Sequence, residues 1–90
     1  MNRTEILAKV AESIGSILDQ PNREITMRTT ADDVEGWDSF NHINIVVAIE
    51  TQFGIKFNAS EVEEVRAVGE FVKLIEKKLA NPKSAGKRSA

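Results

Sequence analysis

Apolar side chains recur at steps of three and four residues in separate segments of this chain, and that spacing restricts it to a helical fold. Because an α-helix has about 3.6 residues per turn, such steps place the apolar side chains on one face. We predict a first helix from about Thr4 to Asp19, ended by Pro21, and a last helix that stops at Asn81-Pro82. Their stripes comprise Ile6, Leu7, Val10, Ile14, Ile17 and Leu18, and then Val68, Phe71, Val72, Ile75 and Leu79.

A middle helix is predicted from Asp38-Ser39 to Phe53-Gly54, and its apolar residues fall on two arcs instead of one. At about 100° per residue, the first arc is a normal core stripe of Ile45, Val46, Ile49 and Phe53. The second arc comprises Phe40, Ile43 and Val47. It indicates either a central helix packed on two sides or an exposed strip that docks other proteins. The polar Asn41 and Asn44 beside it favour docking.

Two further segments connect these helices. Residues 58–65 predict a short helix with Ser60 as its N-cap and acidic residues in its first turn. Residues 19–38 have no sustained period and form a long loop, which is expected to attach to the core through Ile25, Met27 and Val34. Strands near residues 25–30 have no evident pairing partner. The overall prediction is an all-α bundle.

Composition excludes several classes of function. The 90 residues fit one small domain, and 41% of them are hydrophobic. The absence of cysteine excludes disulfides and thiolate catalysis, and the single histidine disfavours a zinc site. A net charge of −2 argues against nucleic acid as a partner, and no apolar run is long enough to insert into a membrane. We therefore expect a cytoplasmic monomer.

Charge is distributed unevenly along the chain. Residues 1–80 carry a net charge of −5, whereas residues 81–90 carry three basic residues and no acidic one. The last segment also contains proline and glycine and few apolar residues. We expect a folded domain over residues 1–80 followed by a disordered basic tail over residues 81–90.

Asp38, Ser39 and His42 suggest a catalytic triad, but their spacing is unfavourable. Ser39 and His42 are one helical turn apart, whereas a triad needs the carboxylate on the far side of the imidazole, which the adjacent Asp38 does not reach. The chain also lacks a Gly-x-Ser-x-Gly elbow. His42 is better explained as a side chain at the edge of the core. Trp37, the single tryptophan, is explained as an anchor of the preceding loop.

Ser39 has a second interpretation, since Asp38 is a good N-cap and places it in the first turn of the middle helix. Unpaired backbone N–H groups and the positive end of the helix dipole meet there, which favours a phosphate group. A serine at this position can carry a phosphodiester without catalysing a reaction. It can also be no more than part of the cap.

The segment from Gly36 to Glu50 resembles the serine motif of acyl carrier proteins. In that family an Asp-Ser-Leu tripeptide opens the second helix, and here the tripeptide is Asp38-Ser39-Phe40. The following segment, which reads Glu-Thr-Gln-Phe-Gly-Ile-Lys-Phe, resembles the family's acidic-Phe-Gly-Ile segment. The resemblance covers residues 4–80 and matches the order of the helices. It implies a four-helix bundle with a short third helix and a long loop after the first.

This resemblance implies a carrier and not an enzyme. The family's serine accepts 4′-phosphopantetheine from coenzyme A, so Ser39 is the expected attachment site, and the thiol of the arm holds an acyl group as a thioester. The expected partners are a phosphopantetheinyl transferase and the acyl-loading and acyl-using enzymes of fatty-acid, lipid or polyketide-type biosynthesis. Their expected docking surface comprises Asp38, Phe40, Asn41, Ile43, Asn44 and Val47.

The middle helix also departs from the family pattern. Asn41, Asn44 and Thr51 stand where carriers of fatty acid synthesis usually have acidic residues, and Phe40 replaces the usual leucine. Partners that use Arg and Lys gain less electrostatic steering here, so we expect a specialised stand-alone carrier. The alternative is a non-covalent helical interaction module that binds through Phe40, Ile43 and Val47.

Overall fold

The computed structural model describes residues 2–80, in which four α-helices follow one another in the predicted order. They are α1 (Arg3–Ile17), α2 (Ser39–Phe53), α3 (Ala59–Glu64) and α4 (Val68–Ala80). The prediction of an all-α four-helix bundle is confirmed. α1 ends before the expected Asp19, which has a left-handed φ of 58°. The expected tail, residues 81–90, and the expected stop at Asn81-Pro82 lie outside the described residues.

Side-chain caps define where α1 and α2 begin. Asn2 accepts the backbone N–H of Glu5 at 2.8 Å, and the Glu5 carboxylate accepts the N–H of Asn2 in return. Asp38 caps α2 as predicted, because its carboxylate accepts the N–H of Asn41 at 2.9 Å. Gly54 ends α2 with a φ of 68°, a conformation that glycine adopts without the steric cost of a Cβ atom.

The prediction of Ser60 as the N-cap of α3 is wrong. Asn58 is the cap: its side chain accepts the N–H of Glu61 at 2.8 Å, and the Glu61 carboxylate accepts the N–H of Asn58 at 2.9 Å. The same carboxylate also binds Lys78 of α4. Starting the helix at Asn58 therefore satisfies two local hydrogen bonds and one tertiary contact together, and Ser60 lies inside the first turn.

The core forms where the apolar faces of α1, α2 and α4 meet. Ten side chains of these helices are at most 4% exposed, namely Ile6, Val10, Ile14, Ile45, Val46, Ile49, Val68, Phe71, Val72 and Ile75. Leu79, expected in the last stripe, is instead 37% exposed, whereas Lys78 is only 6% exposed. Lys78 and Leu79 lie three and four residues after Ile75, so helical spacing allows either side chain to face the core. α3 covers Lys78, which is therefore the buried one.

The long loop is attached to the core as predicted. Val34 is buried, and Ile25 and Met27 pack against the core. The loop also hydrogen-bonds to the start of α4, since the N–H of Gly69 donates to the Met27 carbonyl at 3.0 Å. A Cβ atom on Gly69 would lie 2.7 Å from that oxygen, so the close approach requires glycine. Thr30 forms a single β-bridge with Ala67, and a short 3-10 turn, Ala31–Asp33, follows it.

A half-buried ion pair holds α3 against α4. Lys78 Nζ lies 3.0 Å from Glu61 Oε1 and 5.7 Å from the centroid of the Phe57 ring. Partial burial raises the pKa of Glu61, but the hydrogen bonds from Asn58 and Lys78 and the charge of the lysines outweigh it. The pKa of Glu61 is therefore lowered from its ordinary value of 4.5.

We expect Glu61→Gln to lower the free energy of unfolding by about 1–3 kcal/mol, because it leaves the Lys78 ammonium buried without a charged partner. Since the folded-state pKa lies below 4.5, the contribution of Glu61 is complete above that pH and is lost as the pH falls through the lowered value. Urea unfolding between pH 7 and pH 3 measures both effects.

The matched control is the double variant Glu61→Gln/Lys78→Met, in which an apolar side chain of similar length replaces the buried cation. We expect it to recover most of the loss at pH 7. An equal loss in the single and double variants would contradict the assignment of the effect to the unpaired lysine.

Candidate functional site

Ser39 is the first residue of α2, and its side chain is exposed. The cap beside it occupies the Asp38 carboxylate and the N–H of Asn41, and the N–H of His42 donates to the Asp38 carbonyl at 2.8 Å. Within residues 2–80, no hydrogen bond engages Ser39 Oγ. The helix therefore presents a free hydroxyl next to the backbone N–H groups of its first turn.

An open groove with a volume of about 650 Å³ lies beside Ser39. It runs between the 3-10 turn, the first turn of α2, and α3 with the residues that follow it. Its apolar lining is provided by Trp37, Ile43, Val62 and Val65, and its charged lining by Asp32, Asp38, Glu63 and Arg66. The groove thus combines apolar walls with charged groups, and Ser39 is one of the residues that line it.

His42 lies in this groove, and both of its ring nitrogens are engaged away from Ser39. Trp37 Nε1–H donates to His42 Nδ1 at 3.0 Å, and His42 Nε2 lies 2.9 Å from the Val62 carbonyl oxygen. The imidazole also packs on Trp37 and on Phe71, with centroid distances of 6.1 and 5.8 Å. His42 is therefore a half-buried side chain at the edge of the core, as predicted, and Trp37 is the buried loop anchor.

This arrangement does not form a triad. The imidazole makes no hydrogen bond to Ser39 Oγ in the part of the chain that the structure describes, and the Asp38 carboxylate caps α2 instead of orienting the ring. A nucleophilic serine requires a base within hydrogen-bond reach. The geometry does not support a serine hydrolase.

The second apolar arc of α2 is exposed. Phe40, Ile43 and Val47 are 75%, 52% and 53% exposed, whereas Ile45 and Ile49 on the opposite arc are fully buried. Of the two explanations for the double arc, a helix packed on two sides is wrong for this chain. We call these three residues the apolar strip. An exposed set of large apolar side chains on one helix face is typical of a protein interaction site.

The polar residues predicted to dock partners make hydrogen bonds within the chain. Asn41 Nδ2–H donates to the Gly36 carbonyl at 2.9 Å, and Asn44 Nδ2–H donates to Asn41 Oδ1 at 3.2 Å. Asp38 accepts the N–H of Asn41. These contacts attach the residues before Ser39 to α2. The sequence analysis assigned these asparagines to docking and did not predict their internal hydrogen bonds. The position of Asn41, three residues after the N-cap Asp38, was nevertheless a signal for a local side-chain hydrogen bond.

The carboxylate of Glu50, near the end of α2, also accepts a hydrogen bond from within the chain. Glu50 Oε2 accepts the N–H of Phe57 at 2.8 Å, which joins the end of α2 to the chain before α3. Asp38 and Glu50 are the two acidic residues of the cap and helix α2, and each has an internal hydrogen-bond partner. The apolar strip itself carries no charge, and each of the two nearby carboxylates is held by a backbone N–H of the chain.

None of the helices between residues 2 and 80 combines the length and the apolar character needed to cross a membrane. The groove and the apolar strip are the two surfaces next to Ser39. The free hydroxyl of Ser39 begins the helix that carries the apolar strip, and both Ser39 and Ile43 of the strip line the groove.

Comparison with known proteins is consistent with this site. The family model described as "Phosphopantetheine attachment site" matches residues 8–75. An acyl carrier protein of Thermotoga maritima is 33% identical over 78 residues, which cover 87% of this chain and 96% of the relative. An acyl carrier protein of Exiguobacterium sibiricum is 32% identical over 76 residues, covering 84% and 96%. The solution structure of holo acyl carrier protein from Geobacter metallireducens superposes with a TM-score of 0.79 at 28% identity, covering 94% and 98%.

We expect Ile43→Asp and Val47→Asp to leave the fold intact, with changes in unfolding free energy within about 0.5–1 kcal/mol, because both side chains are exposed. Ile45→Asp, on the buried arc of the same helix, is the matched control and should lose several-fold more stability or fail to fold. Urea unfolding followed by circular dichroism measures both. Similar large losses at both arcs would show that the strip belongs to the core.

Proposed function

We propose that this chain, which belongs to the acyl carrier protein family, bears its 4′-phosphopantetheine arm on Ser39. The observation that carries the proposal is the free, exposed Ser39 hydroxyl at the start of α2, inside the tripeptide Asp38-Ser39-Phe40. The first-turn N–H groups and the helix dipole favour the negative charge of a phosphodiester there. The family model over residues 8–75 includes this position.

Members of this family are carriers and not enzymes, and they work with a phosphopantetheinyl transferase and with acyl-processing enzymes. When bound, the arm supplies a terminal thiol that holds an acyl group as a thioester. The protein itself contains no cysteine, so the arm would provide the only thiol. The residues of the chain therefore act by presenting Ser39 and by binding partners.

Attachment forms a bond between Ser39 Oγ and the pantetheine-bearing phosphorus of coenzyme A. It breaks the phosphoanhydride bond of that phosphorus, releases adenosine 3′,5′-bisphosphate and requires the proton on Oγ to leave. His42 cannot accept it in this arrangement, because Nδ1 already accepts the Trp37 N–H and Nε2 is engaged with Val62. Asp38 is held by the N–H of Asn41. We infer that the base comes from the transferase and that this chain contributes the hydroxyl and its orientation.

We further propose that partners dock on the apolar strip and that they are dedicated to a specialised fatty-acid, lipid or polyketide-type pathway. The strip lies on the same helix as Ser39 and is more than half exposed at each residue. The carboxylates of Asp38 and Glu50 accept backbone N–H groups of the chain, and Asn41 and Asn44 stand where the resemblance to the family leads us to expect acidic residues. A partner that fits this surface presents an apolar pocket and depends little on basic residues.

We expect the apo protein to titrate no thiol, and to gain one thiol and the mass of one arm after incubation with coenzyme A and a broad-specificity phosphopantetheinyl transferase. Ser39→Ala should abolish both changes because it removes the attacking oxygen. Intact mass and thiol titration measure the result. The control is Ser60→Ala, which removes another exposed serine from the first turn of a helix.

Modification that persists in Ser39→Ala would place the arm elsewhere and overturn the assignment. No modification by several transferases, in a protein with native circular dichroism, would favour the non-covalent interaction module. In that case the apolar strip would remain the binding surface and Ser39 would only begin the helix.

For docking, we expect Phe40→Ala to slow arm transfer about tenfold, because burial of one large aromatic side chain contributes more than about 1 kcal/mol at an interface centre. Raising salt from about 50 to 500 mM should change the rate less than about threefold, since few exposed charges take part. Thr51→Ala, exposed on the same helix, is the control. A steep salt dependence that is unaffected by Phe40→Ala would contradict apolar docking.

A further inference from the structure

The carbonyl oxygen of Gly36 accepts two hydrogen bonds just before Ser39. The backbone N–H of Asp38 donates to it at 3.0 Å, and the side-chain amide of Asn41 donates to it at 2.9 Å. Gly36 has a φ of 88°, a conformation that favours glycine, and it lies in a turn of the chain. The bond from Asn41 therefore joins this turn to the first turn of α2.

The side-chain amide of Asn41 has one orientation that satisfies both of its neighbours. A carbonyl oxygen only accepts hydrogen bonds, so Nδ2 of Asn41 must face Gly36. Asn41 Oδ1 then accepts the Nδ2–H of Asn44 at 3.2 Å. An aspartate at position 41 has nearly the same shape, but it has no donor, and its carboxylate oxygen would face the carbonyl oxygen of Gly36. The contact therefore needs the amide and not merely the shape of the side chain.

Ser39 lies inside both of the rings that Asn41 closes. The backbone N–H of Asn41 binds the Asp38 carboxylate, and its side chain binds the Gly36 carbonyl, so each bond spans Ser39. The first turn of a helix has few backbone hydrogen bonds of its own and opens easily. Because no hydrogen bond within residues 2–80 holds Ser39 Oγ, the restrained backbone is what limits its position.

Position 41 has a different role if electrostatic docking decides the matter. The resemblance to the family leads us to expect an acidic residue there, and a carboxylate would attract a basic partner. Asn41 is instead half-buried, and each of its two side-chain polar atoms already has a partner in the chain. The two explanations predict opposite effects of Asn41→Asp, because the new charge favours docking while the lost donor releases the turn.

We propose that Asn41 is a positioning residue for attachment at Ser39. Its amide holds the Gly36 turn against α2 and so fixes the backbone from which Oγ attacks phosphorus, while Asn44 supports the amide from the other side. Asn41 acts through this backbone and takes no part in the bond changes at Oγ. The positioning role rests on the proposed function of Ser39, whereas the hydrogen-bond network is a property of the unmodified chain.

The test measures arm transfer from coenzyme A by a broad-specificity phosphopantetheinyl transferase, with the carrier concentration varied to separate kcat from KM. We expect Asn41→Ala and Asn41→Asp each to lower kcat about threefold to tenfold, the change expected for loss of one hydrogen bond. KM for the carrier should change less than about twofold, because the apolar strip is unaltered and the lost contact acts on orientation.

Two further variants separate charge from contact. Thr51→Asp adds the same charge at an exposed position of the same helix, and it should change kcat less than about twofold. Asn44→Ala removes the donor to Asn41 Oδ1 but keeps the contact with Gly36, so its loss of kcat should be smaller than that of Asn41→Ala.

Hydrogen exchange of the unmodified protein measures the network without the transferase. The N–H groups of Asn41 and His42 both bind Asp38 across Ser39. Their protection, corrected for intrinsic rates, should fall about threefold to tenfold in both variants of Asn41 and stay unchanged in Thr51→Asp. The urea midpoint of Asn41→Asp should stay within about 0.5 M of the parent, because the helix dipole favours the new carboxylate.

Four results would overturn the assignment. Transfer to Asn41→Asp at the parent rate or faster would favour electrostatic docking. A raised KM with unchanged kcat would make Asn41 a contact of the partner. Unchanged protection in both variants would show that the bond to Gly36 does not restrain the turn. A fall of kcat in Asn41→Asp together with a large fall of the urea midpoint would make Asn41 a residue of general stability.

Failure of the proposed function gives a different result. If the parent protein accepts no arm, attachment at Ser39 is wrong and the positioning role falls with it. Hydrogen exchange of Asn41 and His42 still decides whether the network restrains the start of α2, since that measurement needs neither the arm nor the transferase.

Discussion

The burial of one face of α2 is the constraint on which the functional surface depends. Ile45 and Ile49 are fully buried in the core shared with α1 and α4, and they fix the rotation of α2 about its own axis. Because successive side chains are about 100° apart, that rotation leaves Phe40, Ile43 and Val47 outside. The same helix therefore supports the core and presents the exposed apolar strip, and Ser39 lies at its start.

Phe71 connects this core to the groove beside Ser39. Its ring packs against Trp37, His42 and Phe57 with centroid distances between 5.8 and 6.5 Å, so a fully buried residue of α4 supports the groove from below. Apolar contacts hold the cluster together, whereas the hydrogen bonds of His42 select one tautomer and one arrangement. Packing supplies stability, and the polar contacts fix the orientation of the ring.

Much of the fold followed from periodicity, because helical spacing is a local property that core burial then reinforces. Periodicity predicted α1, α2 and α4, whereas capping residues predicted α3 and the Asp38 cap, and an isolated apolar side chain predicted the loop anchor Val34. The cap of α3 and the burial of Lys78 were not predicted, since both depend on where α3 packs against α4. The β-bridge between Thr30 and Ala67 joins residues far apart in sequence and had no local signal.

The sequence by itself determined the helical class, the position of Ser39 at a helix start and the resemblance to acyl carrier proteins, because periodicity, capping and motif are written in neighbouring residues. Only the tertiary structure decided that the second arc of α2 is exposed and that the polar residues beside it bond within the chain. It also decided that His42 faces Trp37 and Val62 and not Ser39. Those outcomes depend on how segments that are distant in sequence pack against each other, and a local sequence pattern carries no information about that packing.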